Sequence, residues 1–294
     1  MNERSMRSFA ALTMLVLALR EPPLARGAGA FDTTLTFSRE GAVVKTLDRP
    51  ALERACKVVT VTIADPYYGR QKRYRACPLV DVLALGFGSL AGGATEGTDV
   101  FFRARDGYVK PASLAHVREA GGYLAFADAD RMQGDDPGWE PIDRRQVDPG
   151  PFYVVWENPT AHDPNRYPWP YQLVAIELAS YASRYPHTAP AGLPAAAPAW
   201  AGFTIFRREC IACHAINGEG GTIGPELNLP QSIVEYRAEE QLKAFIRNPQ
   251  AFRYTSMPPH EHLTPADLDA VIAYFRAMRD RKHDPKTAAR AETP

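Results

Sequence analysis

Short apolar runs alternate with polar turns in the first half of the chain, and this pattern predicts strands joined by short helices. Residues 58–64 are β-branched at nearly every position, which is typical of a strand. Helices are predicted after Asp48, Pro78 and Pro111, where a proline stands in or near the first turn. Residues 31–187 are therefore predicted to form an α+β domain with a mixed sheet.

The second half of the chain has a helical period instead. Five residues share one face of a helix predicted from residue 200, at successive offsets of 0, 3, 7, 10 and 11: Phe203, Phe206, Cys210, Cys213 and His214. A short helix is predicted over 238–247. A last one opens at Thr264 with Asp267 at its third position, an N-terminal capping pattern. Residues 200–283 are predicted to form an all-α domain.

Ala and Pro dominate residues 188–199, which contain a single large apolar side chain. Such a segment cannot form a core, and it is predicted to be an extended, semi-rigid linker between the two domains. Residues 284–294 are a polar tail that we expect to fray.

Residues 1–30 have the features of a secretory signal peptide. Arg4 and Arg7 precede an apolar run over 8–19, and the small residues Ala28 and Ala30 follow it. The run is shorter than the roughly 20 residues that span a bilayer, although an uncleaved membrane anchor is the alternative interpretation. We expect cleavage, export to the periplasm or an equivalent compartment, and no integral membrane segment afterwards.

The composition is globular, with 45% hydrophobic and 23% charged residues. Lys and Arg together number 34, as do Asp and Glu, so the formal charge is zero. This balance argues against a nucleic-acid partner. Four cysteines are too few for a disulfide-rich scaffold.

The chemistry is concentrated in Cys210-Ile211-Ala212-Cys213-His214, the attachment signature of a c-type haem. Residues at i, i+3 and i+4 share a helical face, so two thiols can reach two vinyl groups while the histidine points at the iron. The alternatives are half of a zinc site or a redox dithiol. Zinc would need two more ligands at suitable spacing, and a redox dithiol would begin the helix of a βαβ unit. One covalent haem c, with His214 as an iron ligand, is predicted.

Met257 is the predicted sixth ligand of the iron. It stands between polar residues and Pro258-Pro259, where packing gives no reason for a methionine. A thioether ligand raises the reduction potential of a haem. His260 and His262 are rival ligands, interpreted as loop residues exposed to solvent.

Together, these motifs make residues 200–280 resemble class I cytochrome c. The resemblance rests on the haem attachment motif, on Gly224-Pro225, on Met257-Pro258 and on the closing helix over 267–278. It implies that the carbonyl of Pro225 accepts a hydrogen bond from the outer nitrogen of His214. It also implies that the first and last helices cross, so that Gly202 and Phe206 meet Tyr274.

Residues 40–180 resemble a reduced version of the molybdopterin-binding domain of sulfite-oxidase-like enzymes. Segments 47–56, 58–64, 74–85 and 101–110 carry this resemblance, which implies a molybdenum-ligating cysteine. Cys56, however, precedes its strand, and Cys77 stands in the turn that opens a predicted helix. We therefore expect a descendant without molybdopterin.

Cys56 and Cys77 are 21 residues apart in a chain predicted to enter an oxidising compartment, so a disulfide between them is predicted. Two buried free thiols, or one thiol on molybdenum, are the alternatives.

The function predicted from the sequence is single-electron transfer rather than catalysis, because a haem with two protein ligands has no open position for a substrate. The N-terminal domain would be a docking or specificity module for a redox partner: a dehydrogenase, an oxidase or another cytochrome. Two alternatives stay open. One is a molybdenum-dependent oxidoreductase of the sulfite-oxidase type with a fused haem acceptor. The other is a binding or sensor protein that the haem only stabilises.

Overall fold

The structure, a computed structural model, describes residues 33–88, 97–142, 146–157 and 166–285. The predicted signal peptide and most of the predicted polar tail lie outside these residues. Within these ranges, no helix is both long and apolar enough to cross a bilayer.

The N-terminal half is built from two sheets with short helices between the strands. In chain order its described elements are β1 (Thr34–Arg39), β2 (Ala42–Asp48), α1 (Arg49–Ala55), β3 (Val59–Asp65), β4 (Arg70–Pro78), α2 (Leu79–Phe87), β5 (Thr98–Ala104), β6 (Val109–Ser113), α3 (Leu114–Val117), β7 (Gly122–Asp128), β8 (Tyr153–Trp156), β9 (Leu173–Ser180) and α4 (Tyr181–Arg184). One sheet has the order β2-β1-β9-β5-β6 and the other the order β3-β4-β7-β8. The first sheet is mixed, because β1 and β9 are parallel while its other pairs are antiparallel.

Alternation explains how these strands pack. In β3, Val61 and Ile63 are buried while the alternating Thr60 and Thr62 are exposed, as expected for a strand with one face on the core. Both sheets contribute to one hydrophobic core, in which Phe102 comes from the first sheet.

The aromatic run over 167–171 belongs to this core. Tyr167 and Trp169 are buried. Trp156 lies beside the run, and its indole nitrogen donates to the carbonyl of Pro168 at 2.9 Å. These side chains therefore have a structural role.

The C-terminal half is mainly helical. Its described elements are α5 (Pro198–Ile205), β10 (Ala215–Ile216), β11 (Glu219–Gly220), α6 (Ile233–Tyr236), α7 (Glu239–Arg247) and α8 (Pro265–Arg279). Thr264 and Asp267 form the predicted capping box at the start of α8. α5 and α8 cross at Gly202, where an added Cβ would lie 2.0 Å from the carbonyl oxygen of Ala270. Phe206 and Tyr274 meet at the same crossing, with ring centroids 5.2 Å apart.

Two predicted helices are shorter in the structure. Helix α5 ends at Ile205, and the chain continues as a π-helical turn over Phe206–Cys210. The helix predicted after Pro111 is only the single turn α3, because residues Val109–Ser113 pair with β5 as a strand. Strand pairing over a whole segment outweighs the local signal of one proline.

The segment 188–199, predicted only to separate the two domains, packs against them. Thr188 is buried, and its carbonyl accepts a hydrogen bond from the hydroxyl of Tyr274 at 2.7 Å. One hydrophobic cluster contains residues from both sides of the segment, among them Phe101, Tyr185 and Phe203.

Candidate functional site

The haem attachment motif lies where the π-helical turn ends. The amide of Ile211 donates to the carbonyl of Phe206, which closes the wide turn, and the amides of Cys213 and His214 donate to the carbonyl of Cys210. Cys210 and Cys213 are free thiols, both partly exposed. The structure thus brings the three predicted residues together within one turn.

A hydrogen bond to the backbone holds the imidazole ring of His214. Its Nδ1 lies 2.9 Å from the carbonyl oxygen of Pro225. Because a carbonyl only accepts hydrogen bonds, Nδ1 carries the proton and Nε2 keeps a lone pair for a metal. Burial lowers the pKa of the imidazole below its usual value, which favours the neutral ligand form.

Gly224 makes this close contact possible. A Cβ at this position would lie 2.4–2.8 Å from three atoms of the His214 ring. The backbone of residues 224 and 225 therefore forms a cradle that only glycine permits. The donor set, the fixed tautomer and this cradle together fit a covalently attached haem.

The electrostatics of the thiols argue against a redox dithiol. Burial raises the pKa of Cys210 to about 12, and burial also raises the pKa of Cys213. The thiolate is the reactive form in disulfide exchange, and reactive dithiols have a lowered pKa.

Met257 lies in an irregular loop that the structure anchors at three points. Its amide donates to the hydroxyl of Thr255 at 3.1 Å, and its carbonyl accepts from the side-chain amide of Gln250 at 2.9 Å. Three residues later, the amide of His260 donates to the carbonyl of Ile246 at 3.2 Å. Nε2 of His262 lies 3.2 Å from the carboxylate of Glu209, the residue before Cys210, so the end of this loop lies near the attachment motif. Ligation by Met257 stays a prediction.

The two rival histidines face a carboxylate. His260 is buried and its Nδ1 lies 3.8 Å from Glu209, while His262 is exposed and its Nε2 lies 3.2 Å from the same side chain. Neither the cluster nor Glu209 was found from the sequence, because about 50 residues separate its two parts.

The hairpin formed by β5 and β6 contacts the attachment motif and its neighbouring residues, and no sequence pattern predicts these contacts. The amide of Val109 donates to the carbonyl of Ala212 at 3.0 Å, and the ammonium group of Lys110 donates to the carbonyl of Arg208 at 2.8 Å. The amide of Thr222 donates to the carbonyl of Gly107 at 3.1 Å. Segment 101–110 carries a family resemblance in the sequence, but only the folded chain shows that it touches the motif.

Two tyrosines of the N-terminal half have a raised pKa. Burial raises the pKa of Tyr67 and of Tyr108. Tyr67 is nevertheless 48% exposed. Tyr108 precedes Val109, whose amide donates to the carbonyl of Ala212 at 3.0 Å, so Tyr108 is adjacent in sequence to a residue that contacts the motif.

A disulfide joins Cys56 and Cys77, whose Cα atoms are 5.9 Å apart. Cys77 stands at the end of β4 rather than in the turn that opens a helix. With Cys210 and Cys213 in the attachment motif, all four cysteines of the chain are accounted for. No thiol of the N-terminal half is left to ligate molybdenum, so the residues present do not fit a molybdenum cofactor bound through cysteine.

Comparison with known families defines the class of the C-terminal half. Residues 199–279 match the family model for cytochrome c. The chain therefore contains a cytochrome c domain, together with a separate N-terminal domain rich in β-sheet. Such a domain implies haem c and the transfer of electrons to or from a redox partner.

A curated relative matches part of the chain. It is cytochrome c oxidase subunit 2 of Alkalihalophilus pseudofirmus, 33% identical over 85 residues, which cover 26% of this chain and 25% of the relative. The chain thus spans about a quarter of the length of that relative.

Proposed function

We propose that this protein is an exported, single-haem c-type cytochrome that carries single electrons between redox partners. Cys210 and Cys213 would hold the haem covalently, and His214 and Met257 would be its axial ligands. When bound, the haem supplies a one-electron redox centre. The observation that supports this most strongly is the 2.9 Å contact between His214 and the carbonyl of Pro225 beside two free thiols.

The protein's own residues would orient and protect this group. Pro225 keeps the proton on Nδ1 of His214, so Nε2 remains a lone-pair donor. Gly224 lets the backbone lie against the ring. Pro258 and Pro259 restrict the loop that presents Met257, which reduces the number of geometries open to its thioether.

The N-terminal domain would act as the docking or specificity module. Its β5–β6 hairpin contacts residues 208, 212 and 222 of the cytochrome c domain, so it covers one side of the attachment motif. A partner must then approach from the remaining sides, and the N-terminal domain restricts which partners fit. The name of the relative makes an oxidase one candidate class of partner; a dehydrogenase or another cytochrome are the others.

The predicted signal peptide, the periplasmic location and the domain boundaries belong to this proposal. The resemblance of the N-terminal domain to sulfite-oxidase-like enzymes also stays a prediction, and the Cys56–Cys77 disulfide supports the version without molybdopterin.

Metal analysis combined with redox titration tests the proposal. The full chain, produced in a host that matures c-type cytochromes, should contain one iron and no molybdenum per chain. It should also be reduced and reoxidised reversibly by one electron. Molybdenum near one atom per chain would favour the oxidoreductase alternative. Iron without a reversible couple would favour the sensor alternative.

A further inference from the structure

A second cluster of ligand-type side chains lies beside the haem attachment motif. Glu209, His260 and His262 each offer one ligand atom, and these atoms lie within 4.8 Å of one another. Glu209 belongs to the π-helical turn before Cys210, a kind of turn that is frequent at functional sites. The histidines follow the Met257 loop.

The separations within this cluster suit a metal ion. Nε2 of His262 lies 3.2 Å from one carboxylate oxygen of Glu209, and Nδ1 of His260 lies 3.8 Å from the other. Ligands bound tetrahedrally at the usual zinc distances are roughly 3.3 Å apart. Small changes in the side-chain torsions would therefore bring all three atoms to one ion.

We propose that Glu209, His260 and His262 form a binding site for a divalent transition-metal ion such as Zn²⁺. Two imidazoles and one carboxylate are a donor set that zinc uses in proteins, with the remaining position open to water. The set is too rich in nitrogen for magnesium or calcium, which prefer oxygen ligands. Burial of Glu209 and His260 limits competition from water, and exposed His262 gives the ion a route of entry.

Arg208 opposes binding in a way that can be tested. Its Nε donates to Glu209 at 2.6 Å, on the same oxygen that faces His262. A bound cation must displace this contact and tolerate the nearby guanidinium charge. Removing that charge should therefore tighten binding without touching a ligand.

The site joins two parts of the cytochrome c domain that are distant in sequence. Glu209 is adjacent to Cys210, and His260 is three residues after Met257. A metal ion there would tie the attachment motif to the loop that carries the predicted sixth ligand. The proposed metal site does not depend on whether Met257 ligates the haem iron, because Glu209, His260 and His262 lie together in the folded chain.

The test is a titration of the haem-loaded full chain, purified without a polyhistidine tag, with Zn²⁺. We expect binding of one ion by calorimetry and by equilibrium dialysis. His262→Ala and Glu209→Gln should each weaken it at least about tenfold, since even partners beyond the direct ligands change metal affinity 10–100-fold. Arg208→Gln should tighten it.

His116→Ala is the matched control, because His116 lies in α3 of the N-terminal domain, and it should leave Zn²⁺ affinity unchanged. The haem absorption spectrum of each variant verifies that it is folded and loaded. Equal Zn²⁺ affinity in wild type, His262→Ala and Glu209→Gln would overturn the proposal. Failure of the wild type to bind Zn²⁺ would overturn it as well.

Discussion

A single hydrogen bond determines what His214 can do. The carbonyl of Pro225 can only accept, so it fixes the proton on Nδ1 and leaves Nε2 for a metal. Gly224 next to it gives the ring room. These residues are local in sequence, and the attachment motif beside them is itself a specific signature. That is why this half of the site could be predicted from the chain alone.

Met257→Ala tests the predicted sixth ligand. Loss of the thioether should lower the reduction potential by more than about 0.1 V, a modest part of the ≈0.8 V over which axial ligands tune haem. Potentiometric titration measures the reduction potential of each variant. Met278→Leu is the control. Met278 lies in α8 and is buried in the hydrophobic core, so a volume-conserving change there should leave the reduction potential unchanged. Equal potentials for Met257→Ala and wild type would exclude Met257 as the ligand.

Acid stability should depend on Glu140. It accepts a hydrogen bond from buried Lys72 at 2.7 Å, and this bond, with help from Arg70, holds the pKa of the carboxyl below its usual 4.5. A lowered folded-state pKa stabilises the fold above the unfolded value, and the stabilisation is lost as pH falls below about 4.5.

Glu140→Gln should therefore lower the free energy of unfolding by about 1 kcal/mol at neutral pH. The variant should also show a smaller loss of stability on acidification than wild type. Urea unfolding at neutral pH and near pH 4 measures both effects. Glu240→Gln, at a side chain that is 86% exposed, is the control. An unchanged pH profile in Glu140→Gln would contradict this account.

The cluster of Glu209, His260 and His262 shows where prediction from sequence fails at the residue scale. Glu209 looks like an ordinary helical residue, and His260 and His262 look like loop residues. Nothing local signals that they meet, because the contact depends on how the 254–263 loop returns to the π-helical turn.

At the scale of elements, the crossing of α5 and α8 depends on a glycine. Gly202→Ala would place a methyl group 2.0 Å from the carbonyl oxygen of Ala270, which is backbone and cannot move aside cheaply. We expect a loss of about 2 kcal/mol in the free energy of unfolding, despite the better helix propensity of Ala. Chemical denaturation measures the free energy of unfolding of the variant and of wild type.

Ala201→Ser is the matched control for the crossing. Ala201 is exposed in the same helix, so this change should stay within about 0.5 kcal/mol of wild type. A Gly202→Ala variant as stable as Ala201→Ser would show that the helices are not in close contact.

Elements with a strong local period can be predicted well, and those defined by long-range pairing cannot. β3 is almost the predicted strand 58–64, and α8 begins at the predicted capping box. The sequence predicts part of a helix where β6 lies because Pro111 resembles a helix start, yet the backbone of β6 pairs with β5. No pattern within residues 109–113 shows that partner.

At the scale of the whole molecule, the two domains share hydrophobic contacts. Phe101 of β5 packs on Tyr185 with ring centroids 5.5 Å apart, and both belong to the cluster that includes Phe203 and Tyr274 of the cytochrome c domain. The sequence predicts two blocks with a linker. It could not show that the linker and both blocks pack together, because contacts between domains leave no periodic signal.

Phe101→Ala should destabilise the domain that carries the haem although Phe101 lies outside it. Truncating a buried Phe costs about 3–5 kcal/mol. The midpoint of thermal unfolding followed by haem absorbance should therefore fall. Phe102→Ala is the matched control, because Phe102 is equally buried but belongs to the core of the N-terminal domain.

Phe102→Ala should lower the midpoint followed by circular dichroism of the sheets and change the haem-reported midpoint less. If Phe101→Ala left the haem-reported midpoint at its wild-type value, the domains would be independent, and docking by the N-terminal domain would lose its structural support.

Intact mass spectrometry of the protein, with peptide mapping, tests the central claim most directly. The chain is produced in a host that matures c-type cytochromes. The account predicts a mass increase of one haem, located on the peptide that contains Cys210 and Cys213 and absent from a Cys210→Ser, Cys213→Ser double variant. An unmodified mass on those two cysteines in the wild-type protein would contradict it.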